Sequence, residues 1–285
     1  MSSSSFLGKQ RIGKPKNVAR VIALLAMSTL VIVPMLWMLS TAFKTETQLY
    51  SPKPIWIPDP ISWESFKKFF SIYDFGAMTL NSLVTSIGAA IVCTVFACLA
   101  GYGITRFSFA GKGQFLGFLL LTQMFPSVML VVPFYAVLSG YGLTNNLFGL
   151  IIVYAATNIA FSTWMMVGYF RSIPIELDEA ARIDGASHFR TFRSIVLPLT
   201  VPGIAAVAIF VLINCWNEYM YAAVLMSNDS KKTLTVGIMA LNSQYQVHWN
   251  DMMAASAVSC LPLIILFLCF QRYFIAGMTG GAVKS

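Results

Sequence analysis

The stretch EAARIDGASHFRTFRSIVLPL (179–199) places Glu179, Arg182, Asp184, His188, Arg190 and Arg193 inside a chain that otherwise avoids charge. What the block is depends on the long uncharged runs to either side of it. The chain has 285 residues, 57% hydrophobic and 11% charged, where an ordinary soluble domain carries about 25% charged residues. Its mean hydropathy is +0.72. That composition argues against soluble domains and predicts an all-α integral membrane protein. The net charge of +8 is concentrated in the joints between apolar runs, where it orients a chain in a bilayer, and no nucleic-acid-binding motif accompanies it.

A helix needs roughly 20 apolar residues to cross the hydrocarbon. Runs free of Asp, Glu, Lys and Arg cover 21–43, 75–105, 113–170 and 252–271, and 194–228 is interrupted only by Glu218. The run 113–170 holds two helices joined by the Gly- and Asn-rich segment 139–146. Six transmembrane helices follow, at about 21–43, 78–104, 114–138, 147–170, 201–226 and 252–272. Pro34, Pro126, Pro133 and Pro262 fall within them, which a membrane bundle tolerates. The first run is too long for a signal peptide and lacks a small-residue cleavage site, so it is expected to be a retained span. With the N-terminus inside, thirteen of the 19 Lys and Arg are cytoplasmic, and Lys44, Lys53, Lys67, Lys68, Lys231 and Lys232 lie outside. This bias predicts both termini cytoplasmic. The divisions are then a tail 1–20, a membrane domain 21–276, outer loops 44–77 and 227–251, an inner loop 171–200 holding the charged block, and a tail 277–285.

In the first outer loop, Ser62 is a plausible N-cap for a short interfacial helix bearing Trp63, Phe66 and Phe70. Cys93, Cys98, Cys215, Cys260 and Cys269 form no CxxC pair and are expected to be small buried hydrophobes, with no metal site.

The charged block has helix signals of its own. Pro174 suits the start of a helix. Glu176, Asp178 and Glu179 suit the positive end of its dipole. Ala180 and Ala181 favour helix, and Gly185 can end it in a left-handed conformation. Ser187 can cap a second helix carrying Arg190 and Arg193, and Pro198 and Pro202 mark the start of span five. The block could be a solvated connector, but it is long for one. A rigid two-helix element suits docking to a soluble partner.

EAARIDGA, then nine residues from 186 to 194 and IVLP, is similar to the EAA motif of ABC-importer permeases. TLNSLVTS (79–86), QMFPSVMLVVPFY (123–135), CWNEYMYA (215–222) and GMTGGAVKS (277–285) resemble the carbohydrate-uptake branch, of the type of the shorter maltose-importer permease. The resemblance implies a coupling helix between spans four and five, at about 175–186, set into a cleft of a cytoplasmic ATPase. Its residues Glu179, Ala180, Ala181, Arg182, Asp184, Gly185 and Ala186 would carry the contact. It implies a second homologous permease, two ATPase subunits that hold ATP and Mg, an extracellular solute-binding protein, and the bacterial cytoplasmic membrane as the site of a multi-pass chain. No cofactor is expected on this chain. The phosphate-loop pattern GxxxxGK[ST] does not occur, and FAGKGQ (109–114) only grazes it. The chain is therefore expected not to be an enzyme.

Charges inside a span face a cavity or a partner. Asn214, Asn217, Glu218 and Tyr221, at i, i+3, i+4 and i+7, are expected on one helical face lining the path, with a polar seam as the other possibility. Trp216 and Tyr219 beside them offer aromatic surfaces for a sugar. Gln123 and Asn158 are further path candidates, and Asn158, Thr163 and Trp164 also suit interhelical contacts. Asn81 and Ser82 suit packing or capping. Asn242, Gln244, Tyr245, Gln246 and His248 are expected to reach the binding protein. A glycerol phosphodiester or polyol is an alternative solute. An ion-coupled transporter would need several carboxylates within the spans, and only Glu218 lies there. An intramembrane enzyme would need a catalytic set, and both histidines lie in loops.

Overall fold

The computed structural model describes residues 15–242 and 247–282, with side chains over 18–242 and 247–271. Among these residues the chain is helical, and its only β pairing is an isolated bridge between Asn242 and Val247. The elements in order are α1 (Pro15–Ala42), α2 (Glu46–Leu49), α3 (Glu64–Ser71), α4 (Phe75–Arg106), α5 (Lys112–Gln123), α6 (Ser127–Gly140) and α7 (Leu147–Arg171). There follow α8 (Glu176–Ile183), α9 (His188–Thr191), a π-helical turn (Phe192–Val196), α10 (Leu197–Leu199), α11 (Val201–Trp216), α12 (Met220–Leu225), α13 (Leu234–Ala240) and α14 (Trp249–Ala282).

Four helices, α1, α4, α7 and α14, are long and apolar enough to cross a membrane unaided. The other two expected spans are bent. α5 and α6 meet at 98° across residues 124–126, and the segment 188–199 meets α11 at 73°. At 1.5 Å per residue, α5 and α6 rise only about 18 and 21 Å, short of the roughly 30 Å of hydrocarbon. The segment expected as span 114–138 is built of two half-helices, α5 and α6. The physical cause of the break is Pro126, which lacks an N–H and holds extended backbone just before α6. The expected span 201–226 is divided likewise: α11 ends at Trp216, residues 217–219 are unwound, and α12 is a separate short helix.

The core is centred on α4, α7 and α11. Small residues let α4 and α7 approach closely, as in membrane interfaces generally. A Cβ on Gly88 would stand 2.7 Å from Ile151 Cδ1, and one on Gly101 would stand 2.8 Å from Met166 Cβ. Ala89, Cys93 and Ala97 fill the seam against Leu150, Val153 and Tyr154. Cys93, Cys98 and Cys215 are buried as expected. Cys260 is only half-buried and Cys269 is exposed. α1 packs against α14, yet its residues from Val18 to Leu36 are exposed.

The helix expected near Ser62 is α3. Ser62 Oγ accepts from Glu64 N at 3.3 Å, although Trp63 occupies the cap position. Trp63 and Phe70 are exposed, and the anchor is Phe69, stacked on Phe75 at 4.6 Å. The segment between α12 and α14 folds back onto the end of α4. Asn81 Nδ2 donates to Ser230 O and Lys232 O at 3.0 Å, and Ser82 Oγ accepts from Leu234 N at 2.8 Å. These two polar residues therefore do cap and pack, as their sequence suggested. The 139–146 turn is also as read: Gly142 and Asn145 have positive φ, and Asn146 caps α7.

Candidate functional site

Two regions combine polar chemistry with a defined shape. The first is the charged block. α8 ends in a Schellman turn: Ala186 N donates to Ala181 O at 2.9 Å and Gly185 N to Arg182 O at 3.0 Å. Gly185 has φ of 84°, and an added Cβ would meet nothing within 4 Å. Glycine is required there for its backbone conformation alone. Ser187 then caps α9 by accepting from Arg190 N. The helix–glycine–helix element forms as the sequence indicates, with α8 at 176–183 inside the expected coupling helix of about 175–186 and α9 ending at 191.

One face of α8 is fastened. Asp178 and Ala181, three residues apart, are buried. Arg106 Nε lies 2.9 Å from Asp178 Oδ2, with side chains only 8% and 11% exposed. The same guanidinium donates to Phe170 O at 3.3 Å and Ile173 O at 3.1 Å, occupying carbonyls at the end of α7. Tyr102 OH donates to Asp178 Oδ1 at 3.3 Å. One arginine thus joins the ends of α4 and α7 to α8. The sequence reading treated Asp178 only as a first-turn acid and Arg106 only as an orienting charge. The available signal was depth, since Arg106 closes span two on the side where Asp178 opens the block.

The other face is free. Glu176, Glu179, Ala180, Arg182 and Asp184 are exposed, and Ala186 is half-buried. Ile183 is 86% exposed, and Leu177 and Phe189 are exposed too. Apolar side chains ringed by charge mark a protein-docking surface.

The second region lies where the broken helices meet. A cavity of about 290 Å³ opens at the α5–α6 bend, lined by Thr122, Gln123, Phe125, Ser127, Leu130, Phe134, Ala156, Thr157 and Tyr221. Gln123 Nε2 reaches Thr157 O at 3.5 Å. Tyr221 OH donates to Ser127 O at 3.0 Å, tying α12 to the first turn of α6. Hydroxyls, an amide and aromatic rings around one space suit a neutral, hydroxyl-rich solute.

The expected polar stripe does not survive. Because the helix unwinds at 217–219, Asn214 and Asn217 are exposed while Glu218 and Tyr221 turn inward. Both Glu218 oxygens are used, accepting from Tyr221 N at 2.8 Å and Ala222 N at 3.1 Å. Its carboxylate caps the positive end of α12, and its peptide oxygen accepts from Thr235 Oγ1 at 2.6 Å. Trp216, expected on the path, is 3% exposed and donates from Nε1 to Ser259 O at 3.2 Å. It anchors α11 to α14. Asn158 Nδ2 donates to Tyr154 O at 2.9 Å within α7, and Cys215 Sγ of α11, at 3.8 Å, is its interhelical contact. Of the path candidates, Gln123 and Tyr221 line the cavity. Tyr219 is exposed near Asn214 and Asn217, on a surface this chain leaves open.

Asn242 is exposed and His248 is half-buried, with its N–H donating to Leu241 O. Gln244, Tyr245 and Gln246 lie outside the described residues. Among the described residues, no group of three or more His, Cys, Asp or Glu could hold a metal ion.

Comparison with known proteins fits this architecture. The family model described as "binding-protein-dependent transport system inner membrane component" matches residues 93–280. The diacetylchitobiose uptake system permease protein DasC of Streptomyces coelicolor is 30% identical over 94% of this chain and 96% of its own length. The trehalose/maltose transport system permease protein MalG of Thermococcus litoralis is 30% identical over 94% and 97%. A bacterial ABC transporter involved in the import of the acidic polysaccharide alginate shares the fold, with a TM-score of 0.77 at 22% identity over 90% of this chain and 95% of that one. The chain therefore belongs to the family of inner membrane components of binding-protein-dependent transport systems, as a non-enzymatic permease of the ABC-importer type.

Proposed function

We propose that this chain is the permease for a carbohydrate, an oligosaccharide above all, handed over by an extracellular binding protein and moved by alternating access. It crosses the bacterial inner membrane six times with both termini in the cytoplasm, each bent helix pair counting as one span. It pairs with a second permease and with two ATPase subunits that hold ATP and Mg, one of which docks at α8. The divisions are an inner tail 1–20, a membrane domain 21–276 and an inner tail 277–285. Support for the solute comes from relatives such as the diacetylchitobiose and trehalose/maltose permeases and from the neutral, hydroxyl-lined cavity. A permease named for sulfoquinovosyl glycerol, 30% identical over 88% of this chain, keeps a glycerol-linked solute as the second reading.

The observation that carries the coupling role is the clasp of Arg106 on Asp178. It leaves the far face of α8, with Glu179, free for the ATPase and binds its near face to α4 and α7. A push on α8 then moves two spans as one body. Glu179 contacts the ATPase, and Gly185 sets the turn that aims α8.

The test is uptake of radiolabelled trehalose, maltose and diacetylchitobiose into proteoliposomes holding the assembled importer and its binding protein. ATP-dependent uptake of at least one is expected. Glu179→Ala and Gly185→Val should lower it at least tenfold while the complex still inserts. Uptake that follows the membrane potential without the ATPase would overturn the reading. Full coupling in both variants would overturn the role of α8 alone.

A further inference from the structure

We infer that the end of α1 remote from the charged block holds a binding site for the phosphate of a membrane lipid, with Lys44 as its cation. Lys44 follows α1 by two residues and is 3% exposed. Among the described residues no carboxylate pairs with it. Its ammonium lies 3.7 Å from the centroid of the Trp37 ring and 3.4 Å from Thr41 Oγ1. Those contacts leave most of its hydrogen-bonding capacity unused. A buried charge without a counter-charge is costly. Burial also lowers the Lys44 pKa from its ordinary value, as expected for a cation with no anion at hand.

Lys44 lines a cavity of about 440 Å³ with Trp37, Thr41, Gln48, Tyr50, Lys53 and Trp249 among its neighbours there. Two lysines and no acid face this space, so its chemistry selects an anion. Its position selects the source. The cavity opens where the apolar length of α1 ends, which is the depth of lipid headgroups, and Trp and Tyr are at home there. Below it, the apolar side chains of α1 from Val18 to Leu36 are exposed along the helix, so acyl chains have a surface to lie on. An anionic headgroup is favoured over a zwitterionic one, because two lysines and no carboxylate give this cavity a net positive charge that a zwitterion does not offset. Lys44 also borders an adjoining space lined by Glu46, Glu64 and Asp251; there Glu64 is paired with Lys68, Asp251 accepts from Tyr73, and among the described residues no ion pair joins Glu46 to Lys44.

The assembled importer is delipidated in mild detergent and its unfolding midpoint is followed with added phosphatidylglycerol, phosphatidylcholine or inorganic phosphate. Phosphatidylglycerol should raise the midpoint by about 2–4 °C, phosphatidylcholine by less, and inorganic phosphate not measurably. Lys44→Gln should abolish the increment and Lys44→Arg should keep it. Should Lys44→Gln fail to assemble, Lys53→Gln serves, with a reduced increment expected. A response to inorganic phosphate as large as that to lipid would overturn the lipid assignment. An increment unchanged in Lys44→Gln, or no lipid response because the partner permease covers the site, would overturn the site itself.

Discussion

Arg106 and Asp178 are 72 positions apart in the chain, yet they form its most enclosed ion pair among the described residues. The pair is useful because of what else it holds. The guanidinium also donates to two carbonyls at the end of α7, and the carboxylate accepts from Tyr102. Removing one partner strands the other charge, which costs about 3–5 kcal/mol, whereas replacing both by apolar groups can be nearly neutral. Asp178→Leu and Arg106→Met should therefore each lower the unfolding midpoint and raise amide exchange across 176–186. The double variant Arg106→Met with Asp178→Leu should be less destabilised than the sum of the two single losses. A strictly additive cycle would show that the residues are not coupled.

At the scale of the element, the two helix breaks, at 124–126 and 217–219, depend on local chemistry that polarity alone does not display. Uncharged runs report how deep a segment sits, so six apolar stretches were readable at their approximate limits. They do not report whether the helix is continuous. Pro126 was visible in the sequence, but membrane helices tolerate proline, and only its neighbours decide between a kink and a break. At 217–219 the helical spacing of Asn214, Asn217, Glu218 and Tyr221 suggested a single face, and tertiary contacts overrode it. α12 is six residues long, too short to persist alone, and depends on Glu218 for its first free N–H groups. By contrast, the block 174–202 was legible almost residue by residue, because proline, glycine and serine act through local geometry. Glu218→Gln removes the anion and one of two acceptors. It should cost about 1–2 kcal/mol, raise exchange across 219–226 and loosen the cavity at Tyr221. Asn217→Ala, whose amide bonds only Ile213 O, should be close to neutral. If Glu218→Gln leaves stability and exchange unchanged but lowers uptake, its carboxylate meets solute instead of capping α12.

Across the whole molecule, α4 is the member that touches both working ends. Its 32 residues rise about 48 Å. At one end Arg106 grips α8 and at the other Asn81 and Ser82 hold the segment 230–234. Between them, Gly88 and Gly101 seat it tightly on α7. A packed helix with so little room to slide moves as a rod, and a rod of this length would carry a displacement of α8 to the far loop. The two grips should nonetheless be separable, because they share no side chain and lie beyond the distance at which effects couple. Asn81→Ala removes both amide bonds to the loop. Hydrogen exchange should then rise across 230–240, toward the low-stability limit of local opening, while 176–186 keeps its protection. The same variant should retain ATPase docking at α8 yet lose at least half of the stimulation by binding protein. An equal rise in exchange at both ends would mean that Asn81 supports the bundle as a whole. Unchanged exchange at 230–240 would mean that the loop is held by Leu234 and Val236 in the core, and that α4 transmits nothing through its amide.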